Sequence, residues 1–282
     1  MTKRTRDVSE HAPAGGLRRE LGPFTATLFT AGMMVGIGIF ATLGAATEAA
    51  GSGILVAMLL GGSVALATGI SAAQLGVNNP TEGGAFTWAR DFDRDTLGFI
   101  AGCGYLGKNL ISMSVIALAF ATYLGQFIRG LPEHAAAAAG VLAITVLNLF
   151  GIQLTSRVVL PMAEARELPA WLAKIHPRSR SPRRAVVVLG LLSASADLVF
   201  DLRHLIEVGG SFMLVWYFIT HYAALQLPKK KRLTSPIFSW YGIVGCVGLT
   251  VAMPHLAVLA AWSTLGALTA IRFVLHRSLA GR

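Results

Sequence analysis

Charge is what this sequence has least of. Of its 282 residues, 13% are Asp, Glu, Lys or Arg, against roughly 25% in a soluble globular domain. That leaves too little solvated surface for an ordinary soluble enzyme. The 54% hydrophobic content is equally far from a disordered chain. Cysteine is scarce too. Cys103 and Cys246 each lie within an apolar run and have no partner in a loop, so no disulfide scaffold or metal site can be built from them. Acidic residues are outnumbered 14 to 24 by Lys and Arg, for a net charge of +10. A nucleic-acid binder would interleave those cations with aromatics along one face. Here they gather at the ends of apolar runs, where cytoplasmic anchors of a membrane protein belong. Catalytic signatures are missing as well: no H-E-x-x-H, no G-x-S-x-G, no P-loop and no paired carboxylates within the apolar runs. The sequence therefore reads as neither an enzyme nor a nucleic-acid binder, with no cofactor and no metal expected.

What is present is a succession of long apolar runs and a mean hydropathy of +0.61. A membrane span needs about 20 such residues. The candidate spans are Pro23 to Ala46, Ile54 to Gly76, Gly98 to Ile128 and Ala135 to Gly151, then Ala185 to Phe200, Leu202 to Leu227, Ile237 to Met253 and His255 to Leu275. The fifth is short and closes on Asp197. The chain divides into a basic tail (1–22), a bundle of four spans (23–152), a basic loop (153–184), a second bundle of four spans (185–276) and a short tail (277–282). The expected fold is an all-α polytopic transmembrane bundle of about eight spans. With the N-terminus in the cytoplasm, 21 of the 24 Lys and Arg fall inside, Arg129 and Arg203 fall outside, and Lys108 lies within a span. That is the distribution the positive-inside rule requires, with both ends cytoplasmic.

Three features point to chemistry. The first span centres on Ala31-Gly32-Met33-Met34-Val35-Gly36-Ile37-Gly38-Ile39-Phe40. Its glycines lower the cost of leaving the helical conformation, and they also permit close helix packing. Lys108 is the one cation well inside a span. An ionised Lys there costs about 2.5–3.5 kcal/mol, so it should face a cavity or a partner. A structural partner would be Glu207 or freed backbone carbonyls. His204, His221 and His255 read as interfacial or packed histidines. Asp91, Asp93 and Asp95 alternate with Arg90 and Arg94 as a self-paired, solvated cluster. Lys229 to Arg232 reads as a topogenic anchor.

The Gly-Ile-Gly-Ile-Phe of the first span resembles the start of amino acid permeases of the amino acid–polyamine–organocation superfamily. Pro80-Thr81-Glu82-Gly83-Gly84-Ala85-Phe86-Thr87-Trp88-Ala89-Arg90 is similar to the family's loop between its second and third spans. Leu147-Asn148-Leu149-Phe150-Gly151-Ile152 resembles the end of its fourth. Met162-Ala163-Glu164-Ala165-Arg166-Glu167-Leu168-Pro169-Ala170-Trp171-Leu172-Ala173 resembles the cytoplasmic loop between its eighth and ninth. Four motifs in the family's order are far more specific than any one of them.

The resemblance implies a LeuT-like fold in shortened form. It also implies a secondary active amino acid permease that works by alternating access and couples to an ion or proton. The first span would unwind over Gly36 to Phe40, so that Gly36, Ile37 and Gly38 offer backbone groups to the substrate, with Met34 and Phe40 beside them and Lys108 supplying charge. The family has about twelve spans. Between Leu160 and Met162 this chain passes from the start of the fifth to the end of the eighth, so about four central spans are absent. The sixth span, which carries the opposing half of the site, is among them. The expected partners are an amino acid, membrane lipid and a second copy of the chain, since a homodimer is the one route by which the shortened bundle could rebuild a two-sided site. The alternatives are a transport-inactive remnant and a membrane scaffold or partner subunit.

Overall fold

The computed structural model describes Gly22, Phe24, Thr25, Thr27 and Leu28, then residues 37–81, 83–92 and 94–149, Met162, Glu167 and residues 183–280. Among these every regular element is a helix. The helices are α1 (Ile37–Ala50), α2 (Ile54–Asn78), the short α3 (Ala85–Arg90), α4 (Asp95–Phe127) and α5 (Glu133–Leu149). They continue with α6 (Arg183–Val199), α7 (Leu202–Gln226), α8 (Ile237–Ala252) and α9 (His255–Ala280). From the second run onward, each apolar run falls on a helix whose ends agree within three residues, except that α9 continues to Ala280.

The helix boundaries have local causes. Pro132, Pro236 and Pro254 each stand directly before the first residue of α5, α8 and α9. There a missing N–H is harmless and the fixed φ suits a helix start. The reversal between α4 and α5 is a turn closed by Leu131 N–H to the Ile128 carbonyl at 3.3 Å. Gly130 occupies its third position at φ +77°, which other residues rarely adopt. Between α1 and α2 the chain makes a single 3₁₀ turn, Gly51–Gly53, with Gly51 at φ +51°.

α4 is the central post, with α3, α5, α6 and α7 packed around it. One core gathers Ile111, Val115, Leu118 and Ala121 of α4 with Val141 of α5, Ala194 of α6 and Leu205 and Phe212 of α7. Small residues let α4 be crowded. A Cβ added at Gly107 would meet the Phe212 ring at 3.1 Å, and one at Gly104 would meet the Phe212 carbonyl at 3.4 Å.

The outside of the bundle is apolar. Leu59 is 75% exposed and Leu256 83%, and Leu55, Leu66, Val244 and Val251 are similarly bare. Water would not tolerate so continuous a surface, whereas a bilayer requires it. Four helical stretches are long and apolar enough to cross a membrane: Thr42–Asn78, Asp95–Phe127, Leu202–Gln226 and His255–Val274. Glu133–Leu149 and Ile237–Ala252 are shorter apolar helices. This is an all-α membrane-protein fold.

Candidate functional site

Two sequence motifs that lie far apart in the chain meet at one end of α4. Gly83 and Gly84 take φ of +104° and +54°, a pair of conformations that glycine alone adopts readily, and they turn the chain into α3. Trp88 of α3 is buried and its indole N–H donates to the Asn79 carbonyl at 3.2 Å. Asn79 also donates to the Asp91 carboxylate at 3.2 Å. Burial pushes the Asp91 carboxyl up from its ordinary pKa. Arg90 reaches Asp95 at 3.3 Å and Glu167 at 3.2 Å. Glu167 is the hub: its side chain is 2% exposed, and Arg272 of α9 grips it with Nε at 2.6 Å and Nη2 at 2.7 Å. Met162, also fully buried, packs on Phe86 and Phe99. A Cβ at Gly102 would strike its sulfur at 2.8 Å. Residues of the Pro80–Arg90 and Met162–Ala173 segments thus lock α3, α4 and α9 together through a charge-assisted, bidentate pair.

The candidate substrate residues lie elsewhere. Ile37, Gly38 and Phe40 form the first turn of α1 and are helical. The unwound turn expected over Gly36 to Phe40 is therefore absent from Ile37 onward. A single glycine among good helix formers costs a helix only about 1 kcal/mol, too little to break it. Met34 and Gly36 lie outside the described residues. α1 packs against α4, the helix that carries Lys108. Lys108 is half-buried, with Nζ 5.3 Å from the centre of the Tyr105 ring. That ring adjoins Trp216 at 5.5 Å, which in turn adjoins Tyr217 at 5.4 Å. Glu207 is not its partner: it accepts from Arg203 at 3.0 Å, one turn away on α7. Among the described residues, no carboxylate lies within ion-pairing distance of Lys108.

His221 fits the packed reading. It is fully buried, with Nε2 2.9 Å from the Thr68 hydroxyl and Nδ1 3.0 Å from Ser71, which continues to Ser239 at 3.0 Å. Gly242 makes room for the ring, since any Cβ there would fall on it. Arg232 of the basic Lys229–Arg232 cluster does more than anchor. It donates to the Leu225 and Leu227 carbonyls at 2.7 and 2.9 Å, closing the C-terminus of α7. A cavity of about 390 Å³ between α7, α8 and α9 is lined by Leu214, Phe218, Val247, Val251 and Trp262, with Cys246 and Thr250 its most polar groups. Without a charged side chain it suits hydrocarbon and not a zwitterion.

A helical bundle with an apolar exterior and helices long enough to cross a bilayer defines a membrane protein. Comparison with known proteins specifies the class. Residues 25–156 match the amino acid permease family model. An uncharacterised transporter of Mycobacterium tuberculosis is 23% identical over 398 aligned positions, covering 89% of this chain and 90% of that protein. The branched-chain amino acid permease of Bacillus subtilis is 27% identical over 65% of this chain and 45% of its own length. The serine/threonine exchanger of the same organism is 30% identical over 43% and 27%. No solved structure matches. Over its N-terminal part the chain is similar to amino acid permeases. It is also shorter than its full-length relative. The 398 aligned positions exceed its 282 residues by 116, so at least that many positions of the relative have no counterpart here. At about 20 residues per span plus connections, that is about four spans.

Proposed function

We propose that this chain is an amino acid carrier of the cell membrane. It alternates access to a site between the first span and α4, driven by an ion or proton gradient. Lys108 holds the substrate carboxylate, and Gly36, Ile37 and Gly38 offer backbone groups, flanked by Met34 and Phe40. The observation that supports this reading best is Lys108 itself. It lies inside the segment that matches the family, and it rests on an aromatic ring with no carboxylate beside it among the described residues. A cation at membrane depth without a protein counter-charge recruits an anionic group from elsewhere. The named Bacillus relatives make branched-chain amino acids, serine and threonine the first substrates to try.

The charge bias puts both chain ends on the cytoplasmic side. Single-cysteine probes, in a background lacking Cys103 and Cys246, should then react from outside at Ser52 and not at Ser179. A second copy of the chain supplies the wall that the missing spans leave open, with lipid around the pair. The absence of at least 116 positions favours a second reading, a transport-inactive remnant or a membrane scaffold or partner subunit. Uptake of labelled amino acids into proteoliposomes separates the two. The carrier reading expects uptake by wild-type dimers and its loss in Lys108→Met. Dimers that take up nothing would leave the second reading, in which co-purification of a second membrane chain marks a scaffold or partner subunit.

A further inference from the structure

Asp197 is the most exceptional polar group in the bundle. It is fully buried near the end of α6, and among the described residues neither carboxylate oxygen has a hydrogen-bond partner. Ser193, one turn earlier and also fully buried, shares its face of the helix. Ser193 Oγ lies 2.7 Å from Ser114 Oγ and 3.1 Å from the Leu110 carbonyl, both on α4. The Ser114 hydroxyl, which sits beside the Asp197 carboxylate, points its proton at Ser193, whose carbonyl is 3.1 Å away. Each serine proton is therefore taken, while lone pairs on Ser114 Oγ remain free to accept. On the other side, His134 Nδ1 is 2.6 Å from the Asp197 main-chain carbonyl. A carbonyl only accepts, so that nitrogen carries a proton. His134 is half-exposed, and its Nε2 faces Asp201 at 3.8 Å.

Among the described residues no cation pairs with this carboxyl. α6 packs against α4 and α5. α4 has no titratable side chain between Lys108 and Tyr123, and α5 offers only Glu133, bonded to Thr122 at 2.8 Å, and His134. Beyond α6, His204 faces Asp201 at 3.8 Å and Arg203 is taken by Glu207. An ionised carboxylate buried without a partner is strongly disfavoured. The negative end of the α6 dipole adds to that.

We infer that Asp197 is a proton-binding site of the carrier: its carboxyl binds one proton from the His134 side and donates it toward Ser114. Binding forms one O–H bond on a carboxylate oxygen and breaks one O–H bond of a hydronium ion at the half-exposed His134 rim, which leaves as water. The coupling role rests on the carrier reading above, whereas the protonation does not.

Infrared difference spectra of the full chain in lipid test the two separately. In mild acid, where an ordinary Asp is already ionised, the wild type should show the carbonyl stretch of one protonated carboxyl. That band should vanish in Asp197→Asn, shift in Ser114→Ala and fade as pH rises. Its absence from folded wild type, its persistence in Asp197→Asn, or its removal by sodium ions at constant pH would overturn the inference. Should Asp197→Asn fail to fold, the Ser114→Ala band decides, and an unshifted band counts against the site. In proteoliposomes, gradient-driven uptake should be lost in Asp197→Asn while exchange of substrate for substrate persists. Equal loss of both would remove the coupling role and leave the protonated carboxyl standing.

Discussion

Among the described residues two carboxyl groups are almost wholly buried, and the molecule treats them in opposite ways. Glu167 is clasped by Arg272 and Arg90, while Asp197 has no ion pair and no hydrogen-bond partner among those residues. Their neighbours on α4, Thr96 and Ser114, are 18 residues apart, about 27 Å along the helix at 1.5 Å per residue. The contrast teaches that burial alone does not define the role of an acid. Charge that is matched on several sides fixes elements in place. Charge that is matched nowhere must be discharged by a proton, and a proton can leave again.

The comparison is broken most directly by one chemical change made twice, carboxylate to amide. Glu167→Gln leaves two arginines facing a neutral group. Unpairing a buried ion costs about 3–5 kcal/mol, and the partial exposure of Arg272 and Arg90, 17% and 27%, pulls the expected loss toward the lower end. The thermal unfolding midpoint in detergent should fall sharply, and removing Arg272 as well should restore part of it. An unchanged midpoint would mean that the Pro80–Arg90 and Met162–Ala173 segments are held together by packing at Met162 alone.

His221 sharpens the same contrast from the neutral side, because both ring nitrogens are satisfied. Gly242→Ala should cost about 1–3 kcal/mol by overpacking, since the new methyl lands on the imidazole. Gly248→Ala, on the same helix with open space around it, should be neutral or stabilise by up to about 1 kcal/mol. Parallel unfolding of the two variants checks this, and equal effects would show that the ring is free to move.

Much of this was legible in the sequence, and the limits are instructive. Helix positions could be read because lipid forces each span to satisfy its own backbone, which makes length and hydropathy nearly sufficient. The motif containing Arg90 and the one containing Glu167 could each be recognised. Their mutual contact could not, because a pairing across 77 residues leaves no local pattern. Asp197 was visible only as an awkward end to a short span. What makes it notable is the lack of a partner, and a linear sequence cannot display that. The Lys108–Glu207 pairing failed for a local reason: Arg203 stands four residues before Glu207 on the same helix, and i,i+4 neighbours meet first.

Lys108 occupies the middle ground between the two acids, with an aromatic face beneath it and no counter-ion near. Lys108→Met removes a charge that is expensive at membrane depth and retains most of the side-chain volume. Membrane yield should hold or rise slightly, and stability should change by no more than about 1 kcal/mol, the scale of an exposed cation–π contact. Ligand-induced stabilisation by amino acids should disappear. A fall in folded yield with ligand response intact would return Lys108 to a structural role.

The smallest expected effect is the most informative. Asp197→Asn replaces a neutral acid by a neutral amide of nearly the same shape, so in acid, where the folded and unfolded chains both hold the proton, the unfolding midpoint should barely move. This is the reverse of Glu167→Gln, although the chemistry of the substitution is identical. The two proteins should part company as pH rises. The folded wild type then either gives up its proton and accommodates a bare carboxylate beside Ser114, or pays by unfolding more readily. The unfolded chain has no such difficulty, because its Asp197 is ionised in water at little cost. Folded wild type therefore binds one proton more than its unfolded chain, and linkage makes its stability decline with increasing pH through that group. The Asn variant lacks this contribution and should show a flatter profile. Midpoints recorded for both proteins from acid to neutral pH decide it. If the profiles stay parallel, Asp197 carries no proton, and the two buried acids differ only in their neighbours.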